Sequence, residues 1–158
     1  MIRRATTEDI RDIDELLSQV LEIHHQGRSD LFKAGTRKYT DSQLKEIIAD
    51  DNKPIFVYVE DGKLLGYAFC IFQQHSDDNI LTDVRTLYID DLVVRQGSRG
   101  RGIGRKLYEH VQNHARENGC YNLTLNVWAF NEKARNFYDS LGLKPQKIYL
   151  EKILDKEN

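Results

Sequence analysis

The chain has 158 residues, and 23 lysines and arginines against 25 aspartates and glutamates give it a formal net charge of −2. Its length suits one ordinary domain, and its 40% hydrophobic and 30% charged residues are typical of a folded globular protein. A membrane protein is excluded because no run approaches the ~20 consecutive apolar residues of a span. A secreted disulfide scaffold is excluded because only Cys70 and Cys120 are present.

We therefore expect a cytoplasmic protein with reduced thiols, one domain over residues 1–154 and a short polar tail over 155–158. The N-terminus lacks the apolar stretch of a signal peptide. The near-neutral charge argues against a nucleic-acid partner.

Two amphipathic helices are predicted in the first third of the chain. Apolar residues recur at helical spacing from Ile10 to Leu21, and a second helix opens at Thr40. Residues 24–39 between them are polar and irregular, which indicates a loop or a broken helix.

Strand-forming runs occupy the middle of the chain. Residues 55–59 and 64–72 are rich in β-branched and aromatic residues, and an Asp-Gly turn at Asp61 joins them as a hairpin. A third strand is predicted over residues 84–94. The later elements are a helix after Gly104, a strand over 122–128, a helix over 131–141 and a last strand over 147–153. This order indicates a mixed α/β sheet packed between helices.

A glycine- and arginine-rich segment, residues 96–104, lies between the third strand and the next helix; we call it the glycine loop. Glycines let the main chain turn tightly and present N–H groups to a phosphate oxygen, and the following helix adds its dipole. Five cations lie in or beside the loop: Arg95, Arg99, Arg101, Arg105 and Lys106. The loop therefore predicts an anion site, with a solvated connection as the alternative, since it matches neither the dinucleotide nor the Walker pattern.

Two adjacent carboxylates, Asp90 and Asp91, interrupt the alternation of the third strand just before the glycine loop. A bulge there would turn one carboxylate towards a cleft and free backbone groups at the strand edge. The alternative is that both acids face solvent at a strand end.

Taken in order, these segments resemble the GNAT superfamily of N-acetyltransferases. Its diagnostic Gln/Arg-x-x-Gly-x-Gly/Ala motif is matched by Arg99-x-x-Gly102-x-Gly104, and its other landmarks by residues 89–94 and 131–142. The resemblance covers nearly the whole chain and implies that residues 2–6 form a first strand. It implies the acyl-CoA N-acyltransferase fold, a mixed α+β fold with a mostly antiparallel central sheet. The fourth and fifth strands of that sheet are splayed, and about four helices flank it.

The resemblance implies that an acetyl group passes from acetyl-CoA to a primary amine by direct transfer in a ternary complex, without a metal. It places the cofactor on a strand edge, the glycine loop and the last helix. These positions are Leu92, Val93, Val94, Arg99, Gly100, Arg101, Gly102, Ile103, Gly104, Arg105, Asn131 and Tyr138. Tyr138 would protonate the departing thiolate; on spacing alone, a tyrosine on such a helix is more often a core residue.

A proton acceptor is needed because an alkylamine with a pKa near 10.4 is only ~0.04% neutral at pH 7. Asp90 is the preferred base, directly, through a water or by attracting a cationic acceptor, and Asp91 is the reserve. His24, His25, Arg28 and Asp30 are expected to line the acceptor pocket with these two acids, or else to form a surface loop.

The acceptor itself stays open between a polyamine, which the acids would suit, and an amino acid or peptide, whose carboxylate Arg28 or Arg85 would suit. Two alternatives to the enzyme are a CoA-binding protein of the same fold without transferase activity and an RNA-binding module. The RNA-binding module is disfavoured because the basic segment has no aromatic residue before Tyr108. A homodimer is expected because dimers are common in the family that the chain resembles.

Overall fold

A computed structural model describes residues 1–155, which form five strands and four α-helices. In chain order these are β1 (Ile2–Arg4), α1 (Ile10–Gly27), α2 (Asp41–Ala49), β2 (Ile55–Glu60), β3 (Lys63–Gln74), β4 (Arg85–Val94), α3 (Ile103–Glu117), β5 (Asn122–Leu125) and α4 (Glu132–Ser140). The chain divides into two compact units. The first, Met1–Asn126, contains the sheet and α1 to α3, and the second, from Val127 onward, contains α4.

The sheet has the strand order β1-β2-β3-β4-β5 and is antiparallel except for the parallel β4–β5 pair. That pair runs only from Thr86 opposite Asn122 to Ile89 opposite Leu125. From Asp90 onward β4 therefore continues without β5 beside it. This confirms the mostly antiparallel sheet, the splayed pair and the number of helices that the resemblance implies.

Helices cover both faces of the sheet, which explains why β2 is buried on successive residues. The apolar stripe of α1 joins Val57 and Tyr67 in one buried cluster. On the opposite face, Phe56 of β2 packs edge-on against His110 and His114 of α3. Because neighbouring strand residues point to opposite faces, both halves of the alternation are apolar here.

Gly66 of β3 lies where α3 crosses the sheet. A Cβ at this position would lie 2.9 Å from the Val93 carbonyl oxygen and 3.0 Å from Leu107 Cδ1. Gly66→Ala is therefore expected to lower the free energy of unfolding by roughly 1–3 kcal/mol, the usual cost of overpacking. Urea denaturation measures this loss.

The control for this substitution is Gly35→Ala, because a Cβ there meets nothing within 4 Å. Because φ at Gly35 is 64°, backbone strain alone is expected to lower the free energy of unfolding of this variant by about 1 kcal/mol. A Gly66→Ala protein as stable as the wild type would contradict the close approach of α3 to β3.

The predicted last strand over residues 147–153 is wrong, because residues 144–155 are irregular. A strand requires backbone hydrogen bonds to a neighbour, and no described strand pairs with this segment. Ile148, Tyr149 and Leu150 are 78%, 97% and 84% exposed. Their β-propensity favours an extended chain but supplies no partner.

Other boundaries differ by a few residues. β1 ends at Arg4 instead of residue 6, and β5 ends at Leu125 instead of 128, while α1 continues to Gly27. The expectation of one domain over 1–154 stays a prediction, and residues 156–158 of the expected tail lie outside the described part. Within residues 1–155 no helix has the length and apolarity needed to cross a bilayer.

Candidate active site

The bulge predicted beside the two carboxylates is present in β4. Phe69 of β3 pairs with Asp91, and the next residue, Cys70, pairs with Ile89, so Asp90 has no residue opposite it. The extra residue interrupts the alternation, which brings both Asp90 and Asp91 to the wall of one cavity.

The backbone of β4 after the bulge has one edge that β5 does not cover. Arg95 N–H donates to the Leu65 carbonyl at 2.7 Å, which fixes the odd-numbered residues as those bonded to β3. Leu92 and Val94 therefore direct their backbone groups towards the other edge. Gln19 Nε2 on α1 donates to the Val94 carbonyl at 3.1 Å, and the Leu92 N–H donates to the Asp91 carboxylate, which leaves the Leu92 C=O and the Val94 N–H.

The glycine loop has the backbone geometry of an anion cradle. Gly97, Gly100 and Gly102 adopt φ values of 92°, 79° and 78°, and Gly102 is the N-cap of α3. A Cβ at Gly100 or Gly102 would meet nothing within 4 Å. The first N–H groups of α3 have no acceptor in their own helix and carry the positive end of its dipole, which suits a phosphate.

Arg95 is a structural residue rather than part of this cradle. Its Nε donates to the Leu64 carbonyl at 2.9 Å, and its Nη1 lies 3.2 Å from Glu15 on α1. The side chain is 19% exposed. It fastens the end of β4 to α1, so the predicted group of five cations loses one member.

The remaining cations of the loop differ in how they are held. Arg101 pairs with Glu60, and Arg105 lies 3.9 Å from Glu109 one helical turn further on. Arg99 has no hydrogen bond or ion pair to any of residues 1–155. Arg99 is therefore the guanidinium of this loop that is ready for a ligand.

A cavity of about 240 Å³ lies beside the bulge in the first unit; we call it the α1–β4 cavity. Its wall is apolar on the side of α1 and charged on the side of β4. It is lined by Leu17, Val20, Leu21, His24, Phe32, Lys38, Asp90 and Asp91. Such a wall suits a ligand with an apolar arm and a cationic end.

Asp91 is a half-buried acid of this cavity with a shifted pKa. The hydroxyl of Tyr67, which is 0% exposed, donates to Asp91 Oδ2 at 2.8 Å. Burial raises the pKa of Asp91 to about 6, although Lys38 and the Tyr67 hydrogen bond act in the opposite direction. Burial and the nearby Asp91 also raise the pKa of Tyr67 well above its ordinary value, so Tyr67 stays a donor.

Lys38 supplies the cation of the cavity, and sequence reasoning missed it. Its Nζ lies 3.3 Å from Asp90 Oδ2, and the two side chains are 35% and 26% exposed. Burial alone would lower the pKa of Lys38, but Asp90 and Asp91 raise it overall. No local signal marks this lysine, because it lies in an irregular loop and meets its partner 52 residues away.

The predicted acceptor residues His25, Arg28 and Asp30 order the loop that carries the cavity wall. His25 Nδ1 lies 2.8 Å from the Phe32 carbonyl, and Arg28 makes two hydrogen bonds of 2.9 and 2.8 Å to Asp30. The Arg28 guanidinium lowers the pKa of Asp30. None of these three lines the cavity, whereas the fourth predicted residue, His24, does, together with Phe32. The role of His25, Arg28 and Asp30 in acceptor binding stays a prediction.

In the second unit, Asn131 caps α4. Its side-chain oxygen accepts from the Ala134 N–H at 3.2 Å. Tyr138 lies on the same helix, with its ring centroid 5.0 Å from that of Phe137. Their roles towards a cofactor stay predictions.

Neither cysteine has the character of a nucleophile. Burial raises the pKa of Cys70 to about 12 and also raises that of Cys120. Thiols of this kind stay protonated and are poor nucleophiles at neutral pH. Among residues 1–155, no group of three or more His, Cys, Asp and Glu side chains could hold a metal ion.

Comparison with known protein families identifies the family in which this bulge and glycine loop occur. The model of the acetyltransferase (GNAT) family matches residues 17–143. The chain belongs to the GNAT family. This confirms the resemblance seen in Arg99-x-x-Gly102-x-Gly104, and the GNAT family uses acetyl-CoA as its acyl donor.

Relatives and solved structures agree with the GNAT assignment. The thialysine N-epsilon-acetyltransferase of Bos taurus is 38% identical over 134 residues, which cover 85% of this chain and 72% of that protein. The uncharacterized N-acetyltransferase YhfO of Bacillus subtilis is 29% identical over 141 residues, 89% of this chain and 87% of that protein. The crystal structure of a mutant of the BH1408 protein from Bacillus halodurans has a TM-score of 0.94 and 30% identity, covering 98% of this chain and 99% of that one.

Proposed function

We propose that this protein transfers the acetyl group of acetyl-CoA to a primary alkylamine by direct transfer in a ternary complex. Membership of the GNAT family supports the reaction class. The observation that carries the proposal is the α1–β4 cavity, where an apolar wall and two carboxylates meet the uncovered edge of β4.

The residues present fit acetyl-CoA, which supplies the acetyl thioester. The N–H groups of Gly102 to Gly104 and the guanidinium of Arg99 suit its pyrophosphate. The Leu92 C=O and the Val94 N–H suit the amides of its pantetheine arm, as an added strand would. Since Gln19 occupies the Val94 carbonyl, that carbonyl is not expected to join the pairing. The proposal includes further contacts to acetyl-CoA from the positions that the resemblance implies. These are Val93, Gly100, Arg101, Ile103, Arg105 and Asn131.

The two carboxylates divide the work on the amine. Asp90 binds the substrate ammonium, because it already binds one ammonium, that of Lys38. Asp91 accepts the proton, directly or through a water, because a pKa of about 6 leaves it ionised at pH 7 yet close to the working pH. Tyr138 protonates the departing thiolate.

An alkylamine with an apolar arm suits this cavity better than a polyamine. Lys38 neutralises one of the two carboxylates, so the remaining negative charge of the cavity can balance one substrate ammonium. It cannot also balance the second ammonium of a polyamine. The bovine relative, named for acetylation at an N-epsilon position, supports the same class. Arg85 does not favour a substrate carboxylate, since it donates to the Asn118 carbonyl at 2.9 Å and stacks on Phe72 at 4.1 Å.

The test is release of the CoA thiol from acetyl-CoA against a panel of amines. Lysine analogues, other amino acids, polyamines, aminoglycosides and lysine peptides are compared with a no-acceptor control. Release with one class names the acceptor, and lysine-like amines are expected to react fastest. Acetyl-CoA binding without release would indicate a non-catalytic member of the fold, and no binding would contradict the proposal. Sedimentation of the same sample tests the proposed homodimer.

A matched pair of glycine substitutions tests the pyrophosphate site. Gly102→Ala and Gly119→Ala each place a Cβ at a positive φ, 78° and 71°, and neither Cβ meets an atom within 4 Å. Both are expected to cost about 1 kcal/mol of stability. Only Gly102→Ala should weaken acetyl-CoA binding, by at least about tenfold, because the phosphate needs close approach to this backbone. Isothermal titration calorimetry measures the affinity, and equal losses in both variants would contradict the site.

A further inference from the structure

Lys38 already holds, inside the α1–β4 cavity, the position that the proposed mechanism gives to the substrate amine. It is the one lysine among the residues that line the cavity. Its ammonium lies 3.3 Å from Asp90, and the electrostatic effects on it include Asp91. A primary alkylamine that contacts Asp90 in a cavity also lined by Asp91 is the arrangement expected of an acceptor about to react.

The neighbours of Lys38 hold it in this place. Arg37 Nε donates to Asp14 of α1 at 2.8 Å, and Arg37 also pairs with Asp41 at the start of α2. On the other side, the Tyr39 ring stacks on Phe69 with centroids 6.0 Å apart. Because these contacts fix the backbone on both sides of Lys38, its side chain is held towards the bulge.

We propose that Lys38 Nζ is itself an acetyl acceptor, modified by the protein's own activity when no external amine occupies the cavity. This inference rests on the proposed use of acetyl-CoA. The neutral Lys38 nitrogen forms an amide bond to the acetyl carbon while the thioester C–S bond breaks. The amine protons lost on the way pass to the cavity carboxylates and then to solvent, and the sulfur leaves as the CoA thiolate, which takes up one proton.

Self-acetylation has a consequence for the cavity. The acetamide carries no charge, so Asp90 loses its cation, while the added acetyl group occupies part of the 240 Å³ space. The modified protein is therefore expected to acetylate external amines more slowly. An external amine that fills the cavity should in turn protect Lys38.

The experiment incubates the full chain with acetyl-CoA and follows the mass of the intact protein and of its peptides over time. Lys33 and Lys45 serve as internal references, because both are exposed to solvent. Lys38 should gain one acetyl group at least about tenfold faster than either reference, since it is held in place for the reaction. The rate should not depend on protein concentration, as for an intramolecular step, and an added lysine-like amine should slow it.

Two variants complete the test. Lys38→Arg should remove the fast modification, and Lys33→Arg should leave it unchanged. If external amines are acetylated while Lys38 reacts no faster than Lys33 and Lys45, the inference is overturned and the proposed function stands. If calorimetry detects no acetyl-CoA binding, both are overturned.

Discussion

Tyr138→Phe is expected to lower kcat by about 10²–10³-fold, within the range that general acids contribute. The reason is that CoA leaves as a thiolate, and the lost hydroxyl is the group proposed to give it a proton. The affinity for acetyl-CoA should change little, because phenylalanine keeps the ring. Thiol release at saturating substrate measures kcat, and calorimetry measures the affinity.

Tyr149→Phe is the matched control, since it removes the same hydroxyl from a side chain that is 97% exposed. This variant should retain wild-type kcat. The proposed role of Tyr138 fails if its phenylalanine variant turns over at the wild-type rate across the pH range.

Several features of the site could be predicted because their signals are local. The adjacent acids Asp90 and Asp91 break the alternation of a strand, and the bulge follows from that break. The glycines before α3 indicated a tightly turning loop, and three of them have positive φ. Asn131 precedes a helix by one residue and caps it.

Other features depend on residues that are far apart in sequence. Lys38 meets Asp90 across 52 positions, and Gln19 reaches the Val94 carbonyl across 75. Neither residue is part of a sequence motif. In the sequence alone, each looks like an ordinary polar residue exposed to solvent. The Tyr67 hydroxyl that donates to Asp91 lies on a strand predicted only as apolar. Only tertiary packing reveals these contacts.

The error over residues 147–153 has the same origin. A run with Ile148, Tyr149 and Leu150 satisfies the local requirements of a strand. Whether it becomes one depends on a neighbouring strand with an available edge, which local sequence does not specify.

Asp91→Asn is expected to stabilise the protein at neutral pH while it removes most of the activity. The pKa of Asp91, about 6 in the folded protein, lies above the ordinary value of an aspartate, so the folded state binds this proton more tightly than the unfolded state. Ionisation of Asp91 therefore opposes folding, and stability is lost as the pH rises from about 4 through 6. The asparagine variant avoids this loss and keeps an oxygen for the Tyr67 hydroxyl.

The expected gain in the free energy of unfolding is roughly 1–3 kcal/mol at pH 7.5, and it should vanish at about pH 3, where the wild-type acid is largely protonated in both states. Urea denaturation at the two pH values measures it. The rate should behave oppositely: the variant loses about 10²-fold in kcat and the limb near pH 6 in kcat/KM, because its side chain accepts no proton.

Asp90→Asn separates binding from proton transfer. It removes the carboxylate that lies 3.3 Å from Lys38, so it should raise KM for the amine and retain the limb near pH 6. Persistence of that limb in Asp91→Asn, together with its loss in Asp90→Asn, would reverse the two assignments. A proton acceptor for a cationic amine has to be ionised before the amine binds, and in this cavity the ionised form of Asp91 opposes folding. The gain in stability of Asp91→Asn measures the size of that opposing free energy.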